Sequence, residues 1–321
     1  MHDHDQQLAF DRTIGPVGVE VRLPRDPARD DVATWFRSKT NMELLFSTAL
    51  RQSIDEVLDG QRTGRFNISQ LEKTEKTYLG TKVEIVLRAT FEIDSGGQKE
   101  MDYKVAGHPV DSKFTSRKTW TIPAEAVSHI CLLTKADDVT STFSAGLIRI
   151  REEILNLGRN NDGKTTISKS DWGEIDWLCL DAQLPSNLIQ TLPTSDVEVI
   201  MRGKSGQQRI NELLRRAQGM VIDRTTSTTV ARQLDGMKRC RDARPKLRPE
   251  GIVVLGHLKQ GPIVARDLNL PPFEKGEFIA VRLTELEGPD PTRPTTIING
   301  RHYAIAKPFE PAIVAPDIVQ S

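Results

Sequence analysis

The sequence predicts an α/β protein with two domains: a mixed sheet flanked by helices, then a mostly helical domain with a helix-turn-helix. Residues 31–59 have apolar residues at helical spacing, and the chain then changes to short runs rich in β-branched residues. After the polar, turn-rich residues 160–164 the helical pattern returns. A chain of 321 residues is long enough for two domains, and we place them at residues 1–163 and 164–321.

The first domain should begin with a long amphipathic helix and continue with a central sheet. The helix is expected at residues 31–59, where Gly60 provides a common helix end, and a short helix should follow at 68–76. Residues 82–93 are rich in β-branched and aromatic residues and stop at a turn signal at 94–97, which is typical of a strand. Further strands are expected at 100–105, 110–114, 128–135 and 142–150.

The second domain should be helical with a small sheet near its end. Its helices are expected from residue 170 onward, at 196–201 and at 207–218. The last two are joined by a tight turn that contains Gly203 and Gly206, and this arrangement is typical of a helix-turn-helix. Strands at 251–256 and 276–285 would complete a winged form of the motif.

The composition indicates a soluble protein of a reducing compartment. Hydrophobic residues make up 37% and charged residues 27%, and no apolar run approaches the roughly 18–20 residues of a membrane helix. The amino terminus lacks the layout of a signal peptide. Cys131, Cys179 and Cys240 are far apart without Cys-x-x-Cys spacing, which argues against disulfides and zinc. We therefore expect a cytoplasmic protein with no membrane partner.

Charge is segregated along the chain, although 44 basic and 44 acidic residues give a formal charge of +0. Residues 201–249 contain thirteen Lys and Arg against four acidic residues, a net charge of +9. A basic stretch beside a predicted helix-turn-helix favours contact with DNA phosphates and base edges. The candidate contact residues are Lys204, Gln207, Gln208, Arg209, Lys238, Arg239, Arg241 and Arg244. The alternative is a solvated helix face paired with Glu212, Asp235 and Asp242.

The residues that indicate chemistry lie on a predicted hairpin. If its tight turn is at Ala106-Gly107, where glycine supplies the unusual backbone angle, facing residue numbers sum to 213. Asp102 then faces Asp111, and strand alternation puts Lys113 on the same face as Asp111. Directly opposed Cβ atoms are roughly 5 Å apart, so the two carboxylates repel each other when both are ionised. A divalent cation between them would remove that repulsion.

Magnesium is the cation that suits this arrangement. It prefers octahedral oxygen ligands and keeps several waters, so two aspartates with a backbone carbonyl, water and a phosphate oxygen would meet its needs. It acidifies a bound water and neutralises charge that develops on phosphorus. Lys113 would add a second cation near the scissile phosphate. Glu84, on the preceding predicted strand, is the best candidate for a further acid in the metal shell.

An aspartate, a gap and Asp-x-Lys form the core of the nuclease motif PD-(D/E)xK. The pattern also arises by chance, so a solvated polar face with surface salt bridges stays an alternative. Asp102-Tyr103-Lys104 is itself an Asp-x-Lys. We prefer Lys113, because Lys104 would face Pro109 next to the turn and lacks a comparably spaced upstream carboxylate outside a turn.

Runs in both halves of the chain resemble the NaeI-type restriction endonuclease family. In the first half these are Lys73-Thr-Glu-Lys-Thr77, Gly80-Thr81, Glu84, Asp102 and Val110-Asp-Ser-Lys-Phe114. In the second half they are Ser205-Gly-Gln-Gln-Arg209, Glu212-Leu213, Asp235-Gly-Met-Lys-Arg-Cys-Arg-Asp-Ala-Arg244, Leu255-Gly256-His257 and Gly276-Glu277-Phe278. The resemblance keeps the same order from about residue 10 to 310, so it is far more specific than the nuclease motif alone.

The resemblance implies a homodimer whose amino-terminal domain cuts double-stranded DNA at a short palindrome with Mg²⁺. The family's metal-binding acids would fall on Glu84, Asp102 and Asp111, and its catalytic lysine on Lys113. The second domain resembles a helix-turn-helix of the catabolite-activator type, which in this family binds a second, activating copy of the site. Ser112 stands where the family is expected to have cysteine, a position that offers mainly its backbone.

Two other functions stay open from the sequence. One is a repair nuclease or junction resolvase on the same core, and the other is a non-enzymatic DNA-binding regulator. The order of motifs in the second domain favours the restriction enzyme over the first alternative. The predicted cluster also favours the restriction enzyme over the regulator, since a regulator has no use for acidic residues near phosphate. The cluster consists of Glu84, Asp102, Asp111 and Lys113.

Overall fold

We describe a computed structural model that covers residues 13–14, 20–21, 25–95, 101–158, 160 and 162–319. The predicted turn at Gly96-Gly97 lies outside these residues. The chain divides into two compact units, one formed by Met1–Val57 and Leu71–Ser186 and the other by Leu58–Gln70 and Asn187–Ser321. No helix in the described part of the chain is long and apolar enough to cross a membrane.

The α-helices of the described residues are, in chain order, α1 (Pro27–Arg37), α2 (Met42–Leu58), α3 (Gly60–Thr63), α4 (Lys73–Phe91), α5 (Leu188–Thr191), α6 (Thr194–Met201), α7 (Gly206–Arg216), α8 (Arg224–Ala231), α9 (Gly236–Leu247) and α10 (Gln260–Asp267). The strands are β1 (Thr13–Ile14), β2 (Glu20–Val21), β3 (Asp94–Ser95), β4 (Tyr103–Val105), β5 (His108–Thr115), β6 (Thr121–Ile122), β7 (Ile130–Asp137), β8 (Thr142–Arg149), β9 (Thr165–Thr166), β10 (Asp176–Gln183), β11 (Ile252–Gly256), β12 (Phe278–Leu286), β13 (Thr295–Ile298) and β14 (Arg301–Ile305).

The first unit is built on a six-stranded mixed sheet, which confirms the predicted fold class. Its strand order is β10-β8-β7-β5-β4-β3. β5 and β7 are parallel, and the other neighbouring strands are antiparallel. The central strand β7 is apolar over Ile130–Leu133 and buried on both faces, as its sequence indicated. Helices α1 and α4 contact strands of this sheet.

The run predicted as a strand at 82–93 is wrong, because it forms most of the long helix α4. A capping box between Glu72 and Glu75 begins this helix. Its buried residues, Leu79, Val83 and Leu87 among them, recur at helical spacing and face the core. Burial of this stripe outweighs the β propensity of the branched residues, which is a weak local preference.

The predicted helix at 31–59 is two helices rather than one. Helix α1 ends at Arg37 and α2 begins at Met42, and Asn41 between them has a left-handed backbone with φ 57°. The break lets rings of both helices meet, since Phe36 and Phe46 have centroids 5.6 Å apart. Helical spacing continues through the break, so periodicity alone did not reveal it.

The predicted hairpin is confirmed together with its register. Tyr103 pairs with Val110, and Lys104 pairs with Pro109. Ala106 and Gly107 form the turn with φ of 49° and 85°, the double left-handed conformation that a two-residue hairpin turn requires. Glu100, at the start of the predicted strand, lies outside the described residues.

The predicted boundary at residue 163 falls inside the first unit. After it, β9 pairs with β6, and β10 joins the six-stranded sheet beside β8. The division of the chain comes after Ser186 instead. Asn160 Oδ1 accepts the Lys164 N–H at 2.9 Å, so the described residues of this polar stretch are held by local hydrogen bonds.

The second unit combines a helical cluster with a four-stranded sheet. Helices α7, α8 and α9 pack around one apolar core, and the sheet has the order β11-β12-β14-β13. The segment after α7 bonds to β12, with Ile222 and Phe278 exchanging hydrogen bonds of 2.8 and 3.0 Å. The order is therefore α7, a bridged segment, α8, α9, β11, α10 and β12. It resembles that of a winged helix-turn-helix with an additional helix between the two strands.

This order assigns the helix-turn-helix to α8 and α9 and not to the predicted pair, α6 and α7. Helices α6 and α7 exist close to their predicted bounds, but the pair followed by the two strands is α8 and α9. The turn between α8 and α9 is tight, since a Cβ on Gly236 would lie 2.4 Å from the Ser227 carbonyl oxygen. The predicted helix from residue 170 is a short 3₁₀ helix at Lys169–Glu174.

Candidate active site

The four predicted catalytic residues come from three neighbouring elements of the first unit. Asp111 and Lys113 lie on β5, and Asp102 immediately precedes β4 on the other side of the hairpin. Glu84 lies on α4, which packs against β5. It comes from a helix and not from the strand that the sequence predicted.

Asp111 is held by two neighbours. The Lys113 ammonium lies 2.6 Å from Asp111 Oδ2. The thiol of Cys131, the partner of Asp111 in the parallel β5–β7 register, donates to Asp111 Oδ2 over 3.7 Å. Burial and the Asp111 charge raise the pKa of the Cys131 thiol well above its ordinary value, so it stays protonated as a donor. Asp111 itself is only 6% exposed.

Asp102 approaches Asp111 from the facing strand. Its Oδ2 accepts the backbone N–H of Ser112 at 2.8 Å. Burial first, and then the hydrogen bond and charge of Asp111, raise the pKa of Asp102 to about 6. Asp102 and Asp111 therefore lie close together in a region that disfavours the ionised form of Asp102.

Lys113 supplies a cation in direct contact with Asp111. Burial alone would lower the pKa of Lys113, but the charge and hydrogen bond of Asp111 outweigh it, and the pKa is raised. Lys113 is therefore a fixed positive charge at neutral pH. In this position it acts as the counter-ion of the carboxylate pair.

Glu84 is near the pair but occupied elsewhere. Its carboxylate forms an ion pair with Arg88, one turn later on α4. Its charge contributes to the raised pKa of Asp102. Within the described residues, no three carboxylate, histidine or cysteine groups stand close enough together to hold a metal ion. Asp102 is coupled to Asp111 by a hydrogen bond and by charge, whereas Glu84 is paired with Arg88.

Tyr103 ties these elements to one another. Its hydroxyl lies 2.9 Å from the Glu84 carbonyl oxygen and 3.2 Å from Ser112 Oγ. The ring is fully buried. This residue links the helix of Glu84 to the strand of Asp111.

Sequence reasoning missed Tyr103, Arg88 and Cys131. Arg88 has a signal in the sequence, its spacing of four residues from Glu84, but that signal has meaning only on a helix. Tyr103 and Cys131 act through sheet register and packing, which a single sequence does not show.

The donor set suits a hard divalent cation. Carboxylate oxygens are the ligands that magnesium prefers. Burial first, and then the neighbouring Asp111, raise the pKa of Asp102, so a bound cation would stabilise its ionised form. Asp102 and Asp111 would hold such an ion, with Glu84 available when it leaves Arg88. The residues therefore fit the predicted metal.

Four of the eight predicted DNA-contact residues in the second unit are used to build the fold. Gln208 forms the capping box of α7 with Ser205. Gln207 donates to Asn211 and to the backbone of Arg239. Arg244 donates to the Val254 carbonyl from a half-buried position.

Arg209 is the clearest correction. It is 8% exposed, and its guanidinium donates to the carbonyls of Val230 at 2.6 Å, Ala231 at 2.7 Å and Gly203 at 2.8 Å. Val230 and Ala231 end α8, so Arg209 satisfies the last carbonyls of that helix. The prediction of a DNA contact at Arg209 does not fit this position.

The remaining candidates lie on or near α9. Lys238 and Arg241 are exposed on the side of α9 opposite its buried residues Cys240 and Ala243. Arg239 pairs with Asp235 and Asp242. Lys204 is exposed before α7. Lys204, Lys238 and Arg241 are therefore the basic residues among the predicted contacts whose side chains are exposed.

The chain is similar to known proteins over most of its length. The model of a family described as restriction endonuclease NaeI matches residues 30–314. The chain is 41% identical over 278 residues to the type II restriction enzyme NaeI of Lentzea aerocolonigenes, and the aligned part covers 83% of this chain and 86% of that protein.

Proposed function

Because the chain belongs to the NaeI family of restriction endonucleases, we propose that it cuts both strands of DNA at a short palindrome through Mg²⁺-activated water at Asp102, Asp111 and Lys113. The family makes the chain a site-specific deoxyribonuclease and DNA its substrate. It also decides against a repair nuclease and a non-enzymatic regulator. Enzymes of this class generally use a divalent metal, and magnesium is our specific choice. The contact between Asp111 and Lys113, with Asp102 facing them, carries the proposal.

Each residue has a defined task in this proposal. Asp102 and Asp111 hold the cation, and the Ser112 N–H and the Cys131 thiol orient their carboxylates. When bound, Mg²⁺ lowers the pKa of a water and neutralises charge on the phosphate. Lys113 turns from Asp111 toward the scissile phosphate and stabilises the charge that develops on its oxygens. No covalent intermediate on the protein is required.

In the second unit, we assign DNA contact to α9. The helix stands in the recognition position of a winged helix-turn-helix, and Lys238 and Arg241 point away from its buried side. We propose that this unit binds a second copy of the recognition site that activates cleavage, and that the active form is a homodimer with one active site for each strand.

Asp102→Asn should stabilise the metal-free protein at pH 8 and not at pH 4. Asp102 has a pKa of about 6 when folded against an ordinary 3.8, so folding favours its protonated form. Its ionised form therefore lowers stability above about pH 6, and this cost vanishes below the unfolded pKa. Because Asp102 is partly exposed, we expect a gain of only about 1–2 kcal/mol at pH 8, measured by urea unfolding.

The exposed Asp94 provides the matched control, since Asp94→Asn should leave stability unchanged at both pH values. Added Mg²⁺ should raise the stability of the wild type more than that of Asp102→Asn. Equal stability of wild type and Asp102→Asn at pH 8 would show that the carboxylate pair is not under electrostatic stress.

The proposed function is tested by digestion of a plasmid of known sequence. With Mg²⁺ we expect discrete fragments whose ends map one palindromic site, and with a chelator we expect none. Added short duplexes that contain the site should accelerate the reaction if the effector site is real. Absence of cutting under all of these conditions would contradict the proposal.

A further inference from the structure

The first unit has a basic pocket whose lining contains none of the predicted catalytic or DNA-contact residues. Its volume is about 610 Å³, and it lies between the segment after β5 and the β6–β9 pair. The lining includes three cations, Arg117, Lys118 and Lys164, and hydroxyl residues such as Thr119 and Thr166. No carboxylate is among the described residues that line it.

The three cations have no acidic partner in the described part of the chain. All three side chains are exposed, whereas most other arginines of this unit, such as Arg37 and Arg149, form ion pairs. Exposed lysines scattered over a surface have no particular meaning. Three cations that line one concavity, with no carboxylate among its described lining residues, produce a positive potential there. The pocket is therefore suited to an anion.

Both segments that carry the cations are fixed by local hydrogen bonds. Thr115 Oγ1 donates to the Thr119 carbonyl at 3.0 Å and accepts the Arg117 N–H at 3.0 Å. On the other wall, Asn160 Oδ1 holds the Lys164 N–H. The backbone under each cation is thus arranged before any ligand arrives, which reduces the entropy lost on binding.

One hydroxyl of the pocket lacks a partner. The side-chain oxygen of Thr119 is buried, and no hydrogen-bond partner for it exists within the described residues. A buried hydroxyl without a partner is costly unless something else supplies one. Because this oxygen is closed to solvent in the structure, the anion contacts are assigned to the three cations and not to the Thr119 hydroxyl.

The segment that carries Arg117 and Lys118 directly follows β5, the strand of Asp111 and Lys113. Thr115, which fixes the Arg117 segment, lies on the same face of β5 as Asp111 and Lys113. Strand residues rise roughly 3.3 Å each, so the Lys113 and Thr115 Cα atoms are about 7 Å apart. Successive phosphates of one DNA strand advance by about 3.4 Å along the helix axis. A DNA strand that runs along β5 from the scissile phosphate would therefore bring phosphates near the segment after β5.

We propose that this pocket binds backbone phosphates of the substrate DNA beside the scissile phosphate, with Arg117, Lys118 and Lys164 as the binding cations. The inference rests on the proposed function and adds a sequence-independent contact within the nuclease unit. Phosphate contacts fix the position of a protein on DNA but do not read sequence. The pocket would thus set the position of the DNA strand along β5.

The test measures DNA binding by the full chain in a chelator, so that no cutting occurs. Lys118→Ala/Lys164→Ala should weaken binding about tenfold, equally for a duplex with the mapped site and for one of equal length without it. The slope of log affinity against log salt should become shallower by about 0.9 for each lysine removed. The charge-preserving Lys118→Arg/Lys164→Arg should bind like the wild type.

Lys169→Ala is the matched control, since Lys169 is an exposed lysine of the same unit outside the pocket. The inference is overturned if the double alanine variant has the affinity and salt slope of Lys169→Ala, or if it loses affinity only for the duplex with the site. Wild-type cleavage in Mg²⁺ alongside either result leaves the proposed function intact. A wild type that never cuts overturns the proposed function independently of the pocket.

Discussion

Lys113→Ala and Asp111→Ala should each reduce the single-turnover rate of DNA cleavage by at least about 10³-fold. Asp111 is the more buried of the two facing carboxylates, and Lys113 is the cation in contact with it. Removal of either leaves the carboxylate pair without a metal ligand or without its fixed positive charge. The affinity of both variants for a duplex with the recognition site should stay within a fewfold of the wild-type affinity, because neither residue reads bases.

Lys104→Ala provides the control for this prediction. Lys104 is an exposed lysine of the same hairpin, it pairs with Pro109, and it ends the competing Asp-x-Lys pattern. Its replacement should leave the cleavage rate within a fewfold of the wild type. Loss of cleavage in Lys104→Ala but not in Lys113→Ala would show that the motif had been placed on the wrong strand.

Arg209→Ala should destabilise the second unit by about 3–5 kcal/mol. The change removes three hydrogen bonds from a charged donor and leaves the carbonyls of Val230, Ala231 and Gly203 unsatisfied in a buried region. It also removes a cation from the carboxyl end of α8, where the helix dipole favours positive charge. Urea unfolding of the full chain, followed by circular dichroism, measures the loss.

Arg241→Ala separates a structural loss from a DNA contact. Arg241 is exposed on α9, so its removal should change stability by less than about 0.5 kcal/mol while weakening DNA binding. Arg209→Ala should lose binding only to the extent that the unit unfolds. If the Arg209→Ala variant kept wild-type stability but lost DNA binding, that result would support the direct DNA contact that the sequence predicted for Arg209.

The hairpin was predictable because local rules determine it. Ala106-Gly107 permits only a narrow set of turns, and with the turn in place the two-residue period of strands determines which residues face each other. The position of Asp102 opposite the Asp111 strand follows from that register alone. The catalytic role of these residues is still a prediction.

Glu84 shows where local reasoning fails. Val83, Ile85 and Val86 favour a strand by propensity. From Leu79 onward, however, buried apolar residues recur every three or four positions and fit one helix face. The two patterns coexist in the sequence, and tertiary burial decides between them. Glu84 is therefore near the site, but it lies on helix α4 and not on the predicted strand.

The DNA-contact residues were harder to predict, since positive charge does not reveal what an arginine faces. Arg209 and Arg241 are indistinguishable by composition, but one caps a buried helix end and the other is exposed. The pocket of Arg117, Lys118 and Lys164 was missed for the opposite reason. Lys164 is more than forty residues from Arg117 and Lys118 in the sequence, and the pairing of β6 with β9 brings its segment beside theirs.

The central claim, that Asp102 and Asp111 hold the catalytic metal beside DNA, is tested most directly by metal binding. Mn²⁺ takes the same oxygen ligands as Mg²⁺ and is detected by electron paramagnetic resonance. We would titrate Mn²⁺ into the complex with a duplex that carries a non-hydrolysable linkage at the mapped cut position. The wild type should bind Mn²⁺ at least about 100-fold more tightly than Asp111→Asn, with equal DNA affinity. Equal Mn²⁺ affinity of the two proteins would contradict the claim.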